Sequence, residues 1–158
     1  MRQEIQVNLF PRRWPVKKLA FLILPFLLYP TLSFAKSYGD IQGAVYVRNY
    51  DGDTITFNLP GLHPIIGEKI SIRVNGIDTP EIKGKCEKEK YSAKQAREIV
   101  ADILKDAERI DLKNIDRGKY FRIVADVFVD GDSLADELIE AGMAVRYDGG
   151  KKTHNWCE

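Results

Sequence analysis

The chain has 158 residues, which favours one domain over several. Its 24 basic and 23 acidic residues give a formal net charge of +1, which excludes the strong overall positive field of a tight nucleic-acid-binding protein. Its two cysteines and two histidines show no CxxC or clustered spacing, which argues against a zinc site.

The first 35 residues have the composition of a secretory signal peptide. A segment with five basic residues precedes an apolar run over 19–32, and Ser33-Phe34-Ala35 places small residues at positions −3 and −1 of a cleavage site. The alternative is a retained membrane anchor, but the run contains Pro25 and Pro30 and is shorter than the about 20 residues of a spanning helix. We therefore predict an exported protein, periplasmic or secreted, without stable membrane association after cleavage.

Cleavage would leave one domain, residues 36–158, which is long enough for a hydrophobic core. This domain carries 19 basic and 22 acidic residues, a formal net charge of −3, so any contact with nucleic acid must come from a local basic surface. It also keeps both cysteines, Cys86 and Cys157. An even number of cysteines in an exported chain predicts a disulfide between them, and two unpaired thiols are the alternative.

The hydrophobic pattern predicts five strands and two helices. Alternating apolar residues and turn signals predict strands over 43–50, 53–59, 69–77, 109–114 and 121–129. A three- and four-residue apolar spacing predicts a helix over 87–107, and a second helix is capped by Ser133 and stopped by Gly142. We expect an irregular tail from Asp148 onwards. The fold class is α+β, mainly β: a five-stranded OB-type barrel with two or three helices.

Two acidic motifs lie at the ends of predicted strands. Asp51-Gly52-Asp53-Thr54 joins the first two strands, and Asp78-Thr79-Pro80-Glu81 follows the third. Each motif alone is typical of a turn. Together they offer the oxygen ligands that Ca²⁺ prefers, from Asp53, Asp78 and the Thr79 carbonyl. Glu81 lies close enough in sequence to act as a general base on a nearby water.

Two arginines extend this chemistry. Arg73 lies within the third predicted strand and Arg122 near the start of the fifth. Guanidinium groups bind phosphate oxygens through paired hydrogen bonds, so both are candidates for stabilising a phosphodiester under attack. Arg73 and Asp78 are five residues apart, which would place them on opposite faces of an unbroken strand. We therefore predict a bulge or bend at Asn75-Gly76.

Three motifs in this order resemble the staphylococcal nuclease (thermonuclease) family: Asp51 to Thr54, Ile72-Arg73-Val74 with Ile77 to Glu81, and Lys119 to Arg122. The resemblance extends over about residues 42–144. It implies an OB barrel and calcium-dependent cleavage of DNA and RNA that leaves 3′-phosphates. The expected partner is therefore a DNA or RNA substrate, and the cofactor Ca²⁺. We expect a monomer.

The resemblance also implies a role for each matching residue. Calcium would be bound by Asp53, Asp78 and the carbonyl of Thr79. The general base would be Glu81, and the phosphate would be held by Arg73 and Arg122. The nucleotide site would be bordered by Lys119 and Tyr120. Tyr147 is a weaker match to the aromatic residues of the substrate site. Phe121 departs from the family pattern, which has glycine there.

Several alternatives to an active nuclease remain at the level of sequence. One is an OB-type module that binds single strands without cleaving them, and another is a structural or adaptor domain on an uncleaved leader. A further question is whether a group of lysines forms a local nucleic-acid-binding surface or an ordinary solvated one. The group comprises Lys83, Lys85, Lys88, Lys90, Lys151 and Lys152.

Overall fold

The computed structural model describes residues 37–158, and the predicted signal peptide over residues 1–35 lies outside the described residues. The described residues form a unit with its own core. In the described range the strands are β1 (Ile41–Gln42), β2 (Val45–Asn49), β3 (Thr54–Asn58), β4 (Ile70–Val74), β5 (Ile77–Asp78), β6 (Ile110–Arg117), β7 (Ile123–Val129), β8 (Asp132–Ser133) and β9 (Val145–Arg146). The α-helices are α1 (Pro64–Gly67), α2 (Glu87–Asp106) and α3 (Leu134–Glu140).

The main sheet curls back on itself as a barrel. Its strand order is β1-β6-β7-β4-β3-β2, with β8 added to β7, and β4 and β7 form a parallel pair. The two outer strands, β1 and β2, are separated by only two residues, and Gly43 in this break has a positive φ of 68°. One bent segment therefore pairs with β6 through its first part and with β3 through its second. The predicted mixed α+β, OB-type fold is confirmed.

The core lies inside the curled sheet and under two helices. Alternate residues of the strands point inwards, so Ile55 and Phe57 of β3 and Ile72 of β4 are fully buried. Helix α2 buries one face at the predicted spacing, through Ala93, Ala96, Val100 and Leu104. Helix α3 begins as predicted, because Ser133 Oγ accepts a hydrogen bond from the Asp136 amide.

Several predicted strands have different bounds in the structure. The strand predicted over 109–114 extends further, because β6 ends at Arg117. The strand predicted over 69–77 is broken, because a turn at Asn75-Gly76 separates β4 from β5, and β5 pairs with β9 in a separate two-stranded sheet. Gly76 has a φ of 78°, a conformation that favours glycine. The strand predicted from Phe121 begins at Ile123, because Lys119–Phe121 form a 3₁₀ turn in which Tyr120 and Phe121 have positive φ.

A disulfide attaches the C-terminal tail to the start of α2. Cys86 is the N-cap of α2, its partner is Cys157, and their Cα atoms are 6.0 Å apart. The predicted pairing is therefore confirmed, and the tail from Asp148 is irregular as expected. Among residues 37–158, no helix combines the length and the apolar character needed to cross a membrane.

Candidate active site

Asp53 and Arg73 meet because Asp53 directly precedes β3, which pairs with β4. In the β3–β4 ladder Thr54 is opposite Arg73, and the Val74 amide donates to the Asp53 carbonyl over 2.8 Å. Arg73 Nη1 forms an ion pair with Asp53 Oδ1 at 2.6 Å, and the hydroxyl of Thr54 donates to the same oxygen over 3.0 Å. Asp53 is 1% exposed, so this is a buried ion pair.

The turn at Asn75-Gly76 brings Asp78 to the same guanidinium. Arg73 Nη2 lies 3.6 Å from Asp78 Oδ1, although the two residues would face opposite sides of an unbroken strand. The amide of Thr79 donates to Asp53 Oδ2 over 3.3 Å. The three residues predicted to bind calcium, Asp53, Asp78 and Thr79, therefore lie together around Arg73.

Asp51 has a structural role in the turn before Asp53. Its Oδ1 accepts hydrogen bonds from the amides of Asp53 and Thr54, at 3.2 and 2.8 Å, as in an Asx turn. Gly52 lets this turn approach the acidic motif closely, because a β-carbon there would lie 2.9 Å from Thr79 Cγ2 and 3.1 Å from Ala96 Cβ. The first motif is thus a hairpin turn, and it also directs Asp53 into the site.

The buried acids make the site favourable for a cation. Burial is the main cause that raises the pKa of Asp53 to about 7, the carboxylate of Asp51 adds to the rise, and Arg73 opposes it. Burial likewise raises the pKa of Asp51. A carboxylate that is destabilised by burial and by a like charge gains most from a nearby positive charge. The guanidinium of Arg73 alone therefore neutralises the charge of Asp51, Asp53 and Asp78 only in part.

The donor set around Asp78 fits a hard cation. Thr79 Oγ1 is buried without a hydrogen-bond partner, and Asp78 Oδ1 accepts no hydrogen bond although the cations of Arg73 and Lys152 lie 3.6 and 2.6 Å from it. The side chains of Asp53 and Asp78 offer only oxygen atoms as ligands. Oxygen-only donors suit Ca²⁺. Among the described residues, one group brings three potential metal-ligand atoms of His, Cys, Asp or Glu side chains within 4.8 Å of one another: Cys86, Glu89 and Cys157. Both sulfurs of that group form the disulfide, so it is not a metal site. A calcium ion would therefore need carbonyl or water oxygens besides the carboxylates.

A cleft of about 680 Å³ is lined by Arg73, the ion-pair partner of Asp53 and Asp78, whereas these two acids and Thr79 are not among its lining residues. Its lining includes most of the residues that the sequence analysis assigned to catalysis and substrate binding: Arg73, Glu81, Lys119, Arg122 and Tyr147. Within residues 37–158 the guanidinium of Arg122 makes no ion pair, so it is free to bind an anion. Tyr120 does not line the cleft and is 87% exposed on the 3₁₀ turn.

The loop that carries Glu81 is held by a residue that the sequence analysis missed. The carboxylate of Glu89, in the first turn of α2, accepts hydrogen bonds from the amides of Glu81 at 3.4 Å and Lys85 at 2.8 Å. Glu89 is buried, whereas the side chain of Glu81 is part-exposed towards the cleft. A glutamate near a helix N-terminus looks like an ordinary end-of-helix charge in sequence, so no local signal marked it.

A family comparison agrees with this geometry. The family model described as staphylococcal nuclease homologue (SNase) matches residues 71–156. The chain belongs to this family. Among curated proteins, none matches the chain in sequence. The matched span includes Arg73, Asp78, Glu81 and Arg122 but begins after Asp53, so the case for Asp53 depends on its contacts with Arg73 and Thr79.

The SNase family is a family of nuclease-like phosphodiesterases, so membership of this family implies a nucleic-acid substrate.

The six lysines considered as a nucleic-acid-binding surface do not behave alike in the structure. Lys90 pairs with Glu87, and Lys152 pairs with Asp78 and Glu81. In the described chain the other four form no ion pair: Lys83, Lys85, Lys88 and Lys151. Their free charges suit a solvated surface or a contact with phosphate equally.

Proposed function

We propose that this SNase-family protein is an exported, calcium-dependent nuclease that hydrolyses phosphodiester bonds of DNA or RNA and leaves 3′-phosphates. The observation that carries the proposal is the cleft, which is lined by Glu81, Arg73 and Arg122 and in which Arg73 also pairs with the buried acids Asp53 and Asp78. An anion-binding pair, a base and a site for a hard cation are the components that phosphodiester hydrolysis needs. Support for export comes from the composition of residues 1–35.

The side chains of the cleft would divide the work as follows. Calcium, held by Asp53, Asp78 and the Thr79 carbonyl, would supply Lewis-acid stabilisation of charge on the phosphate. Glu81 accepts a proton from the attacking water, whose oxygen forms the new bond to phosphorus. The bond from phosphorus to the 5′ oxygen breaks, which leaves a 3′-phosphate and a 5′ oxygen that takes up a proton. Arg122 and Arg73 donate hydrogen bonds to the non-bridging oxygens, where negative charge increases.

Glu81→Gln tests this proposal, with Glu87→Gln as a matched control. Both changes remove a carboxylate near the start of α2, but Glu87 is 90% exposed, pairs only with Lys90 and lies outside the cleft. Single- and double-stranded DNA and RNA would be incubated with each protein in calcium, in magnesium and in chelator. We expect cleavage only in calcium, a loss of about 10²–10⁴-fold for Glu81→Gln, and wild-type cleavage for Glu87→Gln.

The other outcomes separate the alternatives. Binding of single strands without cleavage in any metal would contradict the enzyme and leave an OB-type binding module. Equal loss in both variants would mean that Glu81 acts through general charge rather than as a base. End-group analysis of the products tests for 3′-phosphates. Mass spectrometry of protein recovered from expressing bacteria tests export, because cleavage as predicted gives a chain that begins at Lys36.

A further inference from the structure

The C-terminal tail places a lysine between two carboxylates of the candidate site. Lys152 Nζ lies 2.6 Å from Asp78 Oδ1 and 2.6 Å from Glu81 Oε1. Its contact with Asp78 is an ion pair outside hydrogen-bond geometry, whereas Glu81 accepts a hydrogen bond. The indole of Trp156 donates to Asp78 Oδ2 over 3.5 Å. The tail therefore covers both oxygens of a residue that is assigned to calcium.

The tail is held by few contacts. Within residues 147–158 there is no strand or helix. The Tyr147 amide donates to the Gly76 carbonyl over 2.9 Å, Lys119 Nζ donates to the Gly149 carbonyl over 2.6 Å, and the disulfide fixes Cys157. Within the tail, the hydroxyl of Tyr147 donates to the Gly150 carbonyl over 2.8 Å. The disulfide keeps the tail beside the site, while the segment that contains Lys152 can leave Asp78 by breaking a small number of polar contacts.

The ammonium of Lys152 is a cation that can be displaced. It lies between the carboxylates of Asp78 and Glu81, and a lysine ammonium is charged at neutral pH. Its side chain is 41% exposed, so solvent screens its charge more than that of a buried cation. In contrast, the side chain of Arg73 is only 14% exposed and pairs with the buried acids Asp53 and Asp78, so it cannot leave without uncovering them.

We propose that Lys152 is a further active-site residue, which sets the calcium affinity by competing with the ion for Asp78. The inference rests on the proposed calcium site. Lys152 and calcium cannot both neutralise Asp78 Oδ1 at close range, so binding of the ion requires the tail to withdraw. If the tail covers Asp78 nine-tenths of the time, the apparent calcium affinity is reduced about tenfold.

Calorimetric titration of calcium into the protein that begins at Lys36, which contains the whole core, tests the proposal. Lys152→Gln should bind calcium about tenfold more tightly than the unchanged protein. Lys152→Arg keeps the charge and should stay within about twofold of it. Lys151→Gln is the matched control, because it removes the same charge from the neighbouring residue, which makes no ion pair in the described chain. Screening at physiological salt should keep its effect within about twofold.

The tryptophan contact gives a second measurement. Trp156 is the single tryptophan from Lys36 to Glu158, and its indole touches Asp78. Its fluorescence should change as calcium is added, with a midpoint at a lower calcium concentration in Lys152→Gln than in the unchanged protein.

The outcomes distinguish this inference from the proposed function. Binding that is tight in Lys152→Gln alone supports the competition. Equal calcium affinity in the unchanged protein and Lys152→Gln, or equal tightening in both glutamine variants, would overturn it while leaving the calcium site in place. Unchanged calcium affinity with a lowered kcat/KM on DNA in Lys152→Gln would overturn it in favour of a substrate-binding lysine. Absence of calcium binding in every variant would overturn the proposed calcium site and the competition with it.

Discussion

The candidate site combines two regions that are fixed by different means. On the barrel, Asp53, Arg73 and Asp78 are positioned by the β3–β4 register and by the turn after β4, and the two acids are buried. In the tail, Lys152 and Trp156 are positioned by a disulfide and a few hydrogen bonds. Strand register fixes a side chain through many backbone contacts, whereas a tethered tail keeps access to several conformations.

Asp78 contacts both regions, so the two ways of fixing a side chain can be compared at one residue. Arg73 neutralises it from the barrel side and Lys152 from the tail side. A buried cation that cannot leave stabilises the fold around the acids. A half-exposed cation that can leave makes room for a ligand at a small free-energy cost. Mutations that act on only one region should therefore separate stability from ligand affinity.

The largest effect on stability is expected from removal of the tether. Replacing both Cys86 and Cys157 by serine should lower the free energy of unfolding by up to about 4 kcal/mol, because the bond spans 71 residues of the unfolded chain. Urea denaturation measures this, and the unchanged protein in reductant is the control. The far-ultraviolet signal of the sheet should persist in the native variant. Its loss would mean that the barrel depends on the tail for folding.

The next effect separates the two arginines of the cleft. Arg73→Met should cost about 3 kcal/mol of stability, because it leaves Asp53 buried without its charged partner. Arg122→Met should change stability by less than about 0.5 kcal/mol, since Arg122 makes no ion pair in the described chain. Both variants should lose nuclease activity. Urea denaturation beside a cleavage assay checks the pair, and equal stability in both would contradict the structural role of Arg73.

The barrel half of the site follows from local sequence signals more closely than the tail half. Alternating apolar residues predicted β3, β4 and the core, and the five-residue separation of Arg73 and Asp78 predicted the turn at Asn75-Gly76. The bent segment that joins β1 and β2 was not predicted, because Gly43, which directly follows β1 and lies two residues before β2, resembles a loop glycine in the sequence.

The tail contacts were beyond prediction for a different reason. Lys152 and Asp78 are 74 residues apart, and no periodic pattern links an irregular segment to a strand end. Only the cysteine pair indicated that the two regions meet, and it did not show which lysine turns inwards. Tyr120 shows the converse, because the family pattern assigned it to the substrate site but the 3₁₀ turn leaves it outside the cleft.

A smaller effect is expected where helix α2 positions Glu81, the proposed general base. The carboxylate of Glu89 accepts one hydrogen bond from the Glu81 amide and one from the Lys85 amide. Glu89→Gln keeps one acceptor oxygen but places an NH₂ group, which cannot accept, opposite the other amide. We expect a loss of about 2 kcal/mol, faster hydrogen exchange at both amides and a lower kcat. Glu87→Gln is the control on the same turn of α2 and should change none of these quantities. Normal exchange in Glu89→Gln would contradict the positioning role.

The smallest effect tests the hold on the tail itself. Tyr147→Phe removes the hydroxyl that donates to the Gly150 carbonyl, a contact that contributes at most about 1 kcal/mol at the surface. If this bond helps to keep the tail docked, its loss should tighten calcium binding by up to about fivefold, since 1.4 kcal/mol corresponds to a tenfold change. Tyr120→Phe is the matched control, because the Tyr120 hydroxyl has no hydrogen-bond partner within the described residues. We expect calcium to bind more tightly in Tyr147→Phe than in the unchanged protein, and with unchanged affinity in Tyr120→Phe. If the effect of Tyr147→Phe disappears when Lys152→Gln is also present, Tyr147 acts through the docked lysine. Tightening that persists in that background would mean that Tyr147 affects the calcium site by another route.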